Sequence, residues 1–223
     1  MSVQACCRNP IDLSVYVVLD DVLCETPEGM VKTALEAVAG GATVIQLRAP
    51  GWKKRQWLKA GLLLKNALEP LGIPLIIDDH IDIAQLVQAD GVHVGQEDID
   101  VRSARKLLGP KTIIGLSVGS LEELPDPSLP VDYLGVGPVY ATATKADAGK
   151  AIGLKGLEKI CNQTDLPVVA IGGIKQSNCE EVIHSGADGV AVVSAICGAT
   201  DVKKAASEFT ELVQAALKNR RNF

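Results

Sequence analysis

No stretch of the chain reaches the run of about 20 apolar residues that a membrane-spanning helix needs, so no such helix is expected. The longest charge-free run near the C-terminus, between Asp188 and Asp201, contains several glycines and reads as a buried strand and turn. Residues 1–10 hold Arg8 and two cysteines but no apolar core of a secretory signal. Six cysteines are present (Cys6, Cys7, Cys24, Cys161, Cys179 and Cys197) without a Cys-x-x-Cys pair. That pattern argues against a zinc site or a disulfide framework and for the reduced thiols of a cytoplasmic protein. With only three histidines, a histidine-built metal cage is not expected. Positive charge is not in excess: 22 basic against 27 acidic side chains leave a net charge of −5. Nucleic acid, which needs a concentrated positive field, is therefore not an expected partner. A locally basic site for a small anion stays open.

What is present is an alternation. Short β-branched apolar runs at residues 15–19, 44–47, 75–77, 91–94, 112–116, 133–136, 167–171 and 189–193 are separated by amphipathic stretches. The helical patterns cover residues 30–39, 55–68, 81–88, 101–108, 154–162, 176–184 and 202–218. The apolar runs lack strict alternation, as expected of strands covered on both faces in a parallel sheet. Residues 120–130, with Pro125, Pro127 and Pro130, leave room for only a short helix. Eight strands, each followed by a helix-sized segment, in 223 residues point to the α/β class and a small (β/α)8 TIM barrel. A doubly wound sheet would carry Gly-x-Gly-x-x-Gly after its first strand, and that is absent. No linker or low-complexity tract divides the chain, so one domain is expected, with residues 1–12 at its margin.

In such a barrel the chemistry sits where the strands end, and the polar clusters of this sequence fall there. Gln46 and Arg48 share one face of the second strand, with Leu47 opposite. A guanidinium suits a phosphate, although a surface arginine closing a strand would look the same. The third strand ends in Asp78-Asp79-His80 and the fourth in Gly95-Gln96-Glu97-Asp98. Adjacent carboxylates need a cation or donors nearby; with Asp98 one of them could hold Mg2+, or each could merely cap the next helix. Residues 135–147 form a loop of hydroxyls with one lysine, Lys145, able to wrap a phosphorylated ligand. The seventh strand ends in Gly172-Gly173, and a short helix starting near Ser194 would aim its positive end at the same point, a pairing that reads as a phosphate cradle. His93, inside the fourth strand, reads as a packed, hydrogen-bonded histidine.

In this order the pieces resemble the thiamine-phosphate synthase family over roughly residues 15–201. The resemblance rests on Asp90-Gly91-Val92-His93-Val94-Gly95-Gln96-Glu97-Asp98, on residues 135–147, and on Gly186-Ala187-Asp188-Gly189-Val190-Ala191-Val192-Val193-Ser194. It implies an enzyme joining 4-amino-2-methyl-5-hydroxymethylpyrimidine pyrophosphate to hydroxyethylthiazole phosphate, giving thiamine phosphate and pyrophosphate. The implied mechanism is dissociative, with pyrophosphate leaving before the thiazole nitrogen captures the pyrimidine cation. It further implies Gln46 and Arg48 on the pyrimidine pyrophosphate, Asp79 and Asp98 on Mg2+, and Ser117 and Lys145 on the pyrophosphate. Thr142, Thr144, Gly172, Gly173, Val193 and Ser194 would hold the thiazole phosphate.

Three positions depart from the family pattern. Pro50 replaces the lysine of Gln-x-Arg-x-Lys, Asp78 replaces an asparagine beside the metal-binding aspartate, and Gly119 replaces the histidine of Ser-x-His. A lost cation and a gained anion should weaken pyrophosphate binding unless Asp78 is paired, protonated or turned away. Three other functions fit parts of the pattern: a thiazole tautomerase of the same shape, a phosphate-binding sugar or tryptophan-pathway isomerase, and a catalytically impaired ligand-binding barrel. The partners expected are small phosphorylated molecules, and a homo-oligomer is left open.

Overall fold

The eight β-branched runs form strands because each is apolar on both faces and short enough to be covered on both. In the computed structural model, which describes residues 11–142 and 149–220, they are β1 (Val15–Leu19), β2 (Val44–Leu47), β3 (Leu75–Asp78), β4 (Gly91–Val94), β5 (Ile113–Val118), β6 (Tyr133–Val136), β7 (Val168–Ile171) and β8 (Gly189–Val192). All neighbours pair in parallel, and β8 returns to β1, so the sheet closes into a barrel with strand order β1 to β8. The helices are α1 (Asp21–Cys24), α2 (Pro27–Ala39), α3 (Lys54–Leu68), α4 (Ile81–Val87), α5 (Val101–Leu108), α6 (Gly153–Cys161), α7 (Cys179–His184), α8 (Ser194–Cys197) and α9 (Val202–Arg220). The expected (β/α)8 architecture is therefore the observed one. The proline-rich β5–β6 connection carries only the 3-10 turn Leu121–Glu123.

Where boundaries differ from the sequence reading, a side chain or a pairing explains it. The fifth strand runs two residues beyond its expected end at Leu116, because Ser117 and Val118 pair with Gly135 and Val136 of β6. The seventh helix starts at Cys179 instead of Gln176. There the Asn178 side chain accepts from Lys175 N at 2.8 Å and donates to Gly173 O at 3.1 Å, holding a turn in place of helix. The short α1 was not foreseen. It exists because the Asp20 carboxylate caps it, accepting from Val22 N and Leu23 N at 3.0 Å.

Two apolar cores result. One lies between the outer barrel face and the helices, including Leu47, Ile77, Leu64 and Phe209. The other fills the lower barrel lumen with Leu13, Val44, Ile76 and Val169.

The N-terminal end of the barrel is fastened by one repeated device. A side chain placed just before each even-numbered strand accepts a backbone amide from the first or second residue of the preceding strand. Thr43 Oγ1 accepts from Val15 N at 3.2 Å and Asp90 Oδ2 from Leu75 N at 2.9 Å. Asp132 Oδ2 accepts from Ile114 N at 2.8 Å and Asp188 Oδ2 from Val168 N at 2.9 Å. Each aspartate also meets a cation from the helical layer: Lys65 Nζ at 3.1 Å, Arg105 Nη2 at 2.7 Å and Arg220 Nη2 at 2.8 Å. This end is thus given over to stability, and the opposite rim is left for a site. Replacing Asp132 with alanine would leave the Ile114 amide without its acceptor and remove the counter-charge of the largely buried Arg105, which keeps only the carbonyls of Gly109, Thr112 and Pro130. We expect it to lower unfolding free energy by about 2–3 kcal/mol, read as a lower urea midpoint at unchanged m-value.

Candidate active site

At the C-terminal rim the strands surround a cavity of about 460 Å³. That volume suits a small organic ligand rather than a macromolecule. Gln46 and Arg48 line it together while Leu47 is fully buried on the other face, as strand alternation requires. Asp78, Asp79, Asp98 and Ser117 line the same cavity, as do Thr142, Gly172, Gly173, Val193 and Ser194. Thr144 and Lys145 lie outside the described residues.

The floor of the cavity is a chain of hydrogen-bonded side chains crossing the lumen. Gln46 Nε2 donates to the Tyr16 hydroxyl at 2.9 Å, and the Tyr16 and Tyr133 hydroxyls bond at 2.8 Å. Tyr133 meets His93 Nδ1 at 3.0 Å, and His93 Nε2 meets Ser117 Oγ at 3.0 Å. Burial pushes both tyrosine pKa values up, with nearby Asp78 acting in the same direction, so both hydroxyls keep their protons. A consistent assignment follows. In it Gln46 donates to Tyr16, Tyr16 to Tyr133, Tyr133 to His93 Nδ1, and His93 Nε2 to Ser117. The Ser117 hydroxyl is then left to donate into the cavity. Glycine makes this floor sterically possible: a Cβ on Gly115 would run into Tyr133 and His93, and one on Gly135 would sit 2.7 Å from His93 Cε1. The backbone of Ser117 is held too, its carbonyl accepting from Gln96 Nε2 at 2.7 Å.

His93 is therefore buried and hydrogen-bonded, as read from sequence, and it also faces the cavity. Tyr16 and Tyr133 were missed by sequence reasoning. The available signal was a tyrosine at an inward position of each of two apolar strands, with glycines at inward positions of β5 and β6 to receive them. His80 does not line the cavity; it begins α4 and packs edge-on against Trp57 at 4.5 Å.

The acidic side of the rim is organised by β3 and β4. Arg48 Nε lies 3.3 Å from Asp78 Oδ2, so the aspartate that departs from the family pattern is paired. An arginine has five donors, and one such pairing does not exhaust it. Asp79 takes a left-handed backbone, φ 56°, and its amide donates to His93 O at 2.9 Å. Asp98 Oδ2 accepts from Gly95 N at 2.8 Å. The alternative in which Asp98 caps the next helix is excluded, because Asp100 caps α5 by accepting from Arg102 N and Ser103 N at 3.0 Å. No group of three or more His, Cys, Asp or Glu side chains able to hold a metal occurs among the described residues. Two hard carboxylates on adjacent strand ends fit instead an ion that completes its shell with water and substrate oxygens, as Mg2+ does. On the other side of the cavity Gly172 and Gly173 both have positive φ, 99° and 66°. A Cβ at either would meet the chain from Pro138 to Ala141, so glycine is required there.

A family model described as thiamine monophosphate synthase matches residues 15–196. The chain belongs to that family. A thiamine-phosphate synthase from Azorhizobium caulinodans is 50% identical over 207 residues, covering 92% of this chain and 97% of the relative. One from Laribacter hongkongensis is 50% identical over 194 residues, with 87% and 92% covered. Among solved structures, a thiamine phosphate pyrophosphorylase from Pyrococcus furiosus matches with a TM-score of 0.83 at 41% identity, covering 93% of this chain and 98% of that one. The barrel is thus that of the thiamine monophosphate synthase family from end to end.

The Arg48–Asp78 pair makes a quantitative prediction. In Asp78→Asn the carboxylate no longer competes for Arg48 or repels a diphosphate. Inorganic pyrophosphate with Mg2+ should bind about three- to tenfold more tightly by calorimetry, a gain of about 0.7–1.4 kcal/mol.

Proposed function

We propose that the rim cavity condenses 4-amino-2-methyl-5-hydroxymethylpyrimidine pyrophosphate with hydroxyethylthiazole phosphate, releasing pyrophosphate, as a cytoplasmic Mg2+-dependent transferase. The observation that carries the reading is that one cavity contains both halves of such a site. A cation, two acids and a hydroxyl (Arg48, Asp79, Asp98, Ser117) lie toward β2–β5, and a glycine turn with Val193-Ser194 lies toward β7–β8.

In this reading the C–O bond from the pyrimidine methylene to the diphosphate breaks with its electron pair going to oxygen. The thiazole nitrogen then forms the new C–N bond to the resulting cation. Arg48 neutralises charge on the departing diphosphate, and the Ser117 hydroxyl, oriented through His93, donates to one of its oxygens. Asp79 and Asp98 would hold Mg2+, which when bound screens the diphosphate charge. Gln46 turns its carbonyl oxygen to the pyrimidine amino group while its amide donates to Tyr16. Apolar Val18, Val169 and Ile171 line the cavity beside these groups and keep water from the cation. Gly172-Gly173 offers backbone amides to the thiazole phosphate, with Ser194 and Thr142 beside it. Lys145 and Thr144 are further members of the proposed set, on pyrophosphate and thiazole phosphate respectively. Such chemistry asks for placement and fixed charge more than for acid–base catalysis.

Purified protein should release pyrophosphate only when both substrates and Mg2+ are present. Binding of both without release would overturn the reading in favour of a binding barrel. Asp98→Ala should lower kcat at least a hundredfold, or raise the Mg2+ concentration needed for half-maximal rate, while circular dichroism stays unchanged. Ser194→Asp places an anion at the thiazole phosphate. It should raise KM for that substrate at least tenfold and leave the KM for the pyrimidine substrate within twofold.

A further inference from the structure

Charge is spread unevenly around the cavity. Among the described residues that line it, the charged ones are Arg48, Asp78, Asp79, Asp98 and Lys175. Four of these five belong to the β2–β4 side, where Arg48 lies 3.3 Å from Asp78. On the β7–β8 side the glycine turn, Thr142 and Ser194 offer neutral donors. Lys175, two residues after Gly173, carries the one formal charge lining that side among the described residues. It lies in none of the three stretches on which the family resemblance rests.

The backbone of Lys175 is fixed. Asn178 Oδ1 accepts from Lys175 N at 2.8 Å while Asn178 Nδ2 donates to Gly173 O at 3.1 Å, so one side chain ties the lysine to the glycine turn. Acids stand on the neighbouring helices, but they have other partners. Glu181 of α7 accepts from the Tyr140 hydroxyl at 2.7 Å, and Glu208 of α9 accepts from Gln176 at 3.4 Å. No carboxylate of the described residues pairs with Lys175. Lys54, Lys59 and Lys65 are each held instead, by Asp82 at 2.8 Å, Glu28 at 2.6 Å and Asp90 at 3.1 Å. An exposed, unpaired ammonium on a flexible stem, rooted in a tied turn at the cavity, is placed to close on an anion.

We propose that Lys175 is a substrate-binding and specificity-determining residue: its ammonium meets the phosphate of hydroxyethylthiazole phosphate, so that the cavity selects the phosphate monoester over free hydroxyethylthiazole. This rests on the reading that the thiazole phosphate occupies the β7–β8 side. Neutral donors discriminate weakly there, because an alcohol oxygen also accepts their hydrogen bonds. A phosphate monoester carries about −1.5 to −2 charge near neutral pH, and a cation rewards that charge in a way the alcohol cannot match. Arg48 is then left to the diphosphate across the cavity.

The test titrates hydroxyethylthiazole phosphate and, separately, unphosphorylated hydroxyethylthiazole into the full chain by calorimetry, which needs no turnover. In Lys175→Gln the phosphate should bind at least tenfold more weakly and the alcohol within twofold of the unaltered protein, at an unchanged urea midpoint. Lys175→Arg, which keeps the charge, should restore phosphate binding to within about threefold. Salt at about 0.5 M should shrink the preference for the phosphate in the unaltered protein and change it less in Lys175→Gln, because an exposed ion pair is screened. In steady state, Lys175→Gln should raise KM for the thiazole phosphate and leave kcat and the KM for the pyrimidine substrate within twofold. Unchanged phosphate affinity in Lys175→Gln would overturn the proposal, as would an equal loss for phosphate and alcohol. No turnover, with the Lys175-dependent preference intact, would count against the proposed reaction and leave Lys175 as the phosphate's partner. Turnover with a thiazole phosphate KM indifferent to Lys175→Gln would do the reverse.

Discussion

A closed barrel of eight parallel strands must fill its own lumen, and the way this one does so governs everything above it. The lower lumen takes branched apolar side chains, Val44, Ile76 and Val169 among them. The upper layer is built from Gln46, Tyr16, Tyr133, His93 and Ser117, joined end to end by hydrogen bonds of 2.8 to 3.0 Å. Buried polar groups are tolerable only when satisfied, so this layer holds as a unit. Omitting Gly115 or Gly135 from the inward face would leave no room for the two rings that span it. The same constraint makes the floor of the cavity rigid. The chain fixes the position of the Ser117 hydroxyl at the edge of the cavity, and a preplaced donor of this kind suits an anionic ligand.

The two ends of the barrel divide labour, and the division explains why acidic residues mean different things along the chain. Asp90, Asp132 and Asp188 sit just before even-numbered strands, where they accept strand amides and meet cations of the helical layer. Asp79 and Asp98 follow the strands and line the cavity. Two of the three stretches that carried the family resemblance contain residues of the first kind, Asp90 and Asp188, so part of that signature encodes the architecture and not the chemistry. The position relative to the strand separates these five: Asp90, Asp132 and Asp188, before a strand, belong to the fastening, and Asp79 and Asp98, after one, belong to the rim.

The architecture was legible because periodicity and burial agree. Runs apolar on both faces can be satisfied only inside a covered parallel sheet, and eight of them with intervening amphipathic segments leave little choice but closure. The rim was legible for a similar reason, since polar and glycine clusters interrupt an apolar pattern only where the strands end. What escaped was chemistry carried by residues that look like core. Tyr16 and Tyr133 read as β-forming aromatics within apolar runs, and no local pattern says that their hydroxyls meet from opposite sides of the lumen. Hydrogen-bond direction was beyond reach as well, because it depends on which groups converge in space. The boundaries that moved did so for tertiary reasons, β5 by pairing with β6 and α7 by the Asn178 turn.

Two of the three departures from the family pattern, Asp78 and Gly119, look different once the rim is seen in three dimensions. Taken residue by residue, Asp78 adds an anion where a diphosphate should go. In the structure that anion faces Arg48 at 3.3 Å, so the two opposite charges pair. Asp78 and Arg48 thus offset each other within the rim, and the added anion is met by a neighbouring cation. The missing histidine at Gly119 is met by a different arrangement. Gly119 N donates to Glu123 Oε2 at 2.7 Å, and Gln96 reaches Ser117 O, so the β5 loop is anchored by its own acid and a neighbouring amide. Charge balance at the rim is therefore a property of the set, and a substitution that reverses one member can be absorbed by the pairing of another.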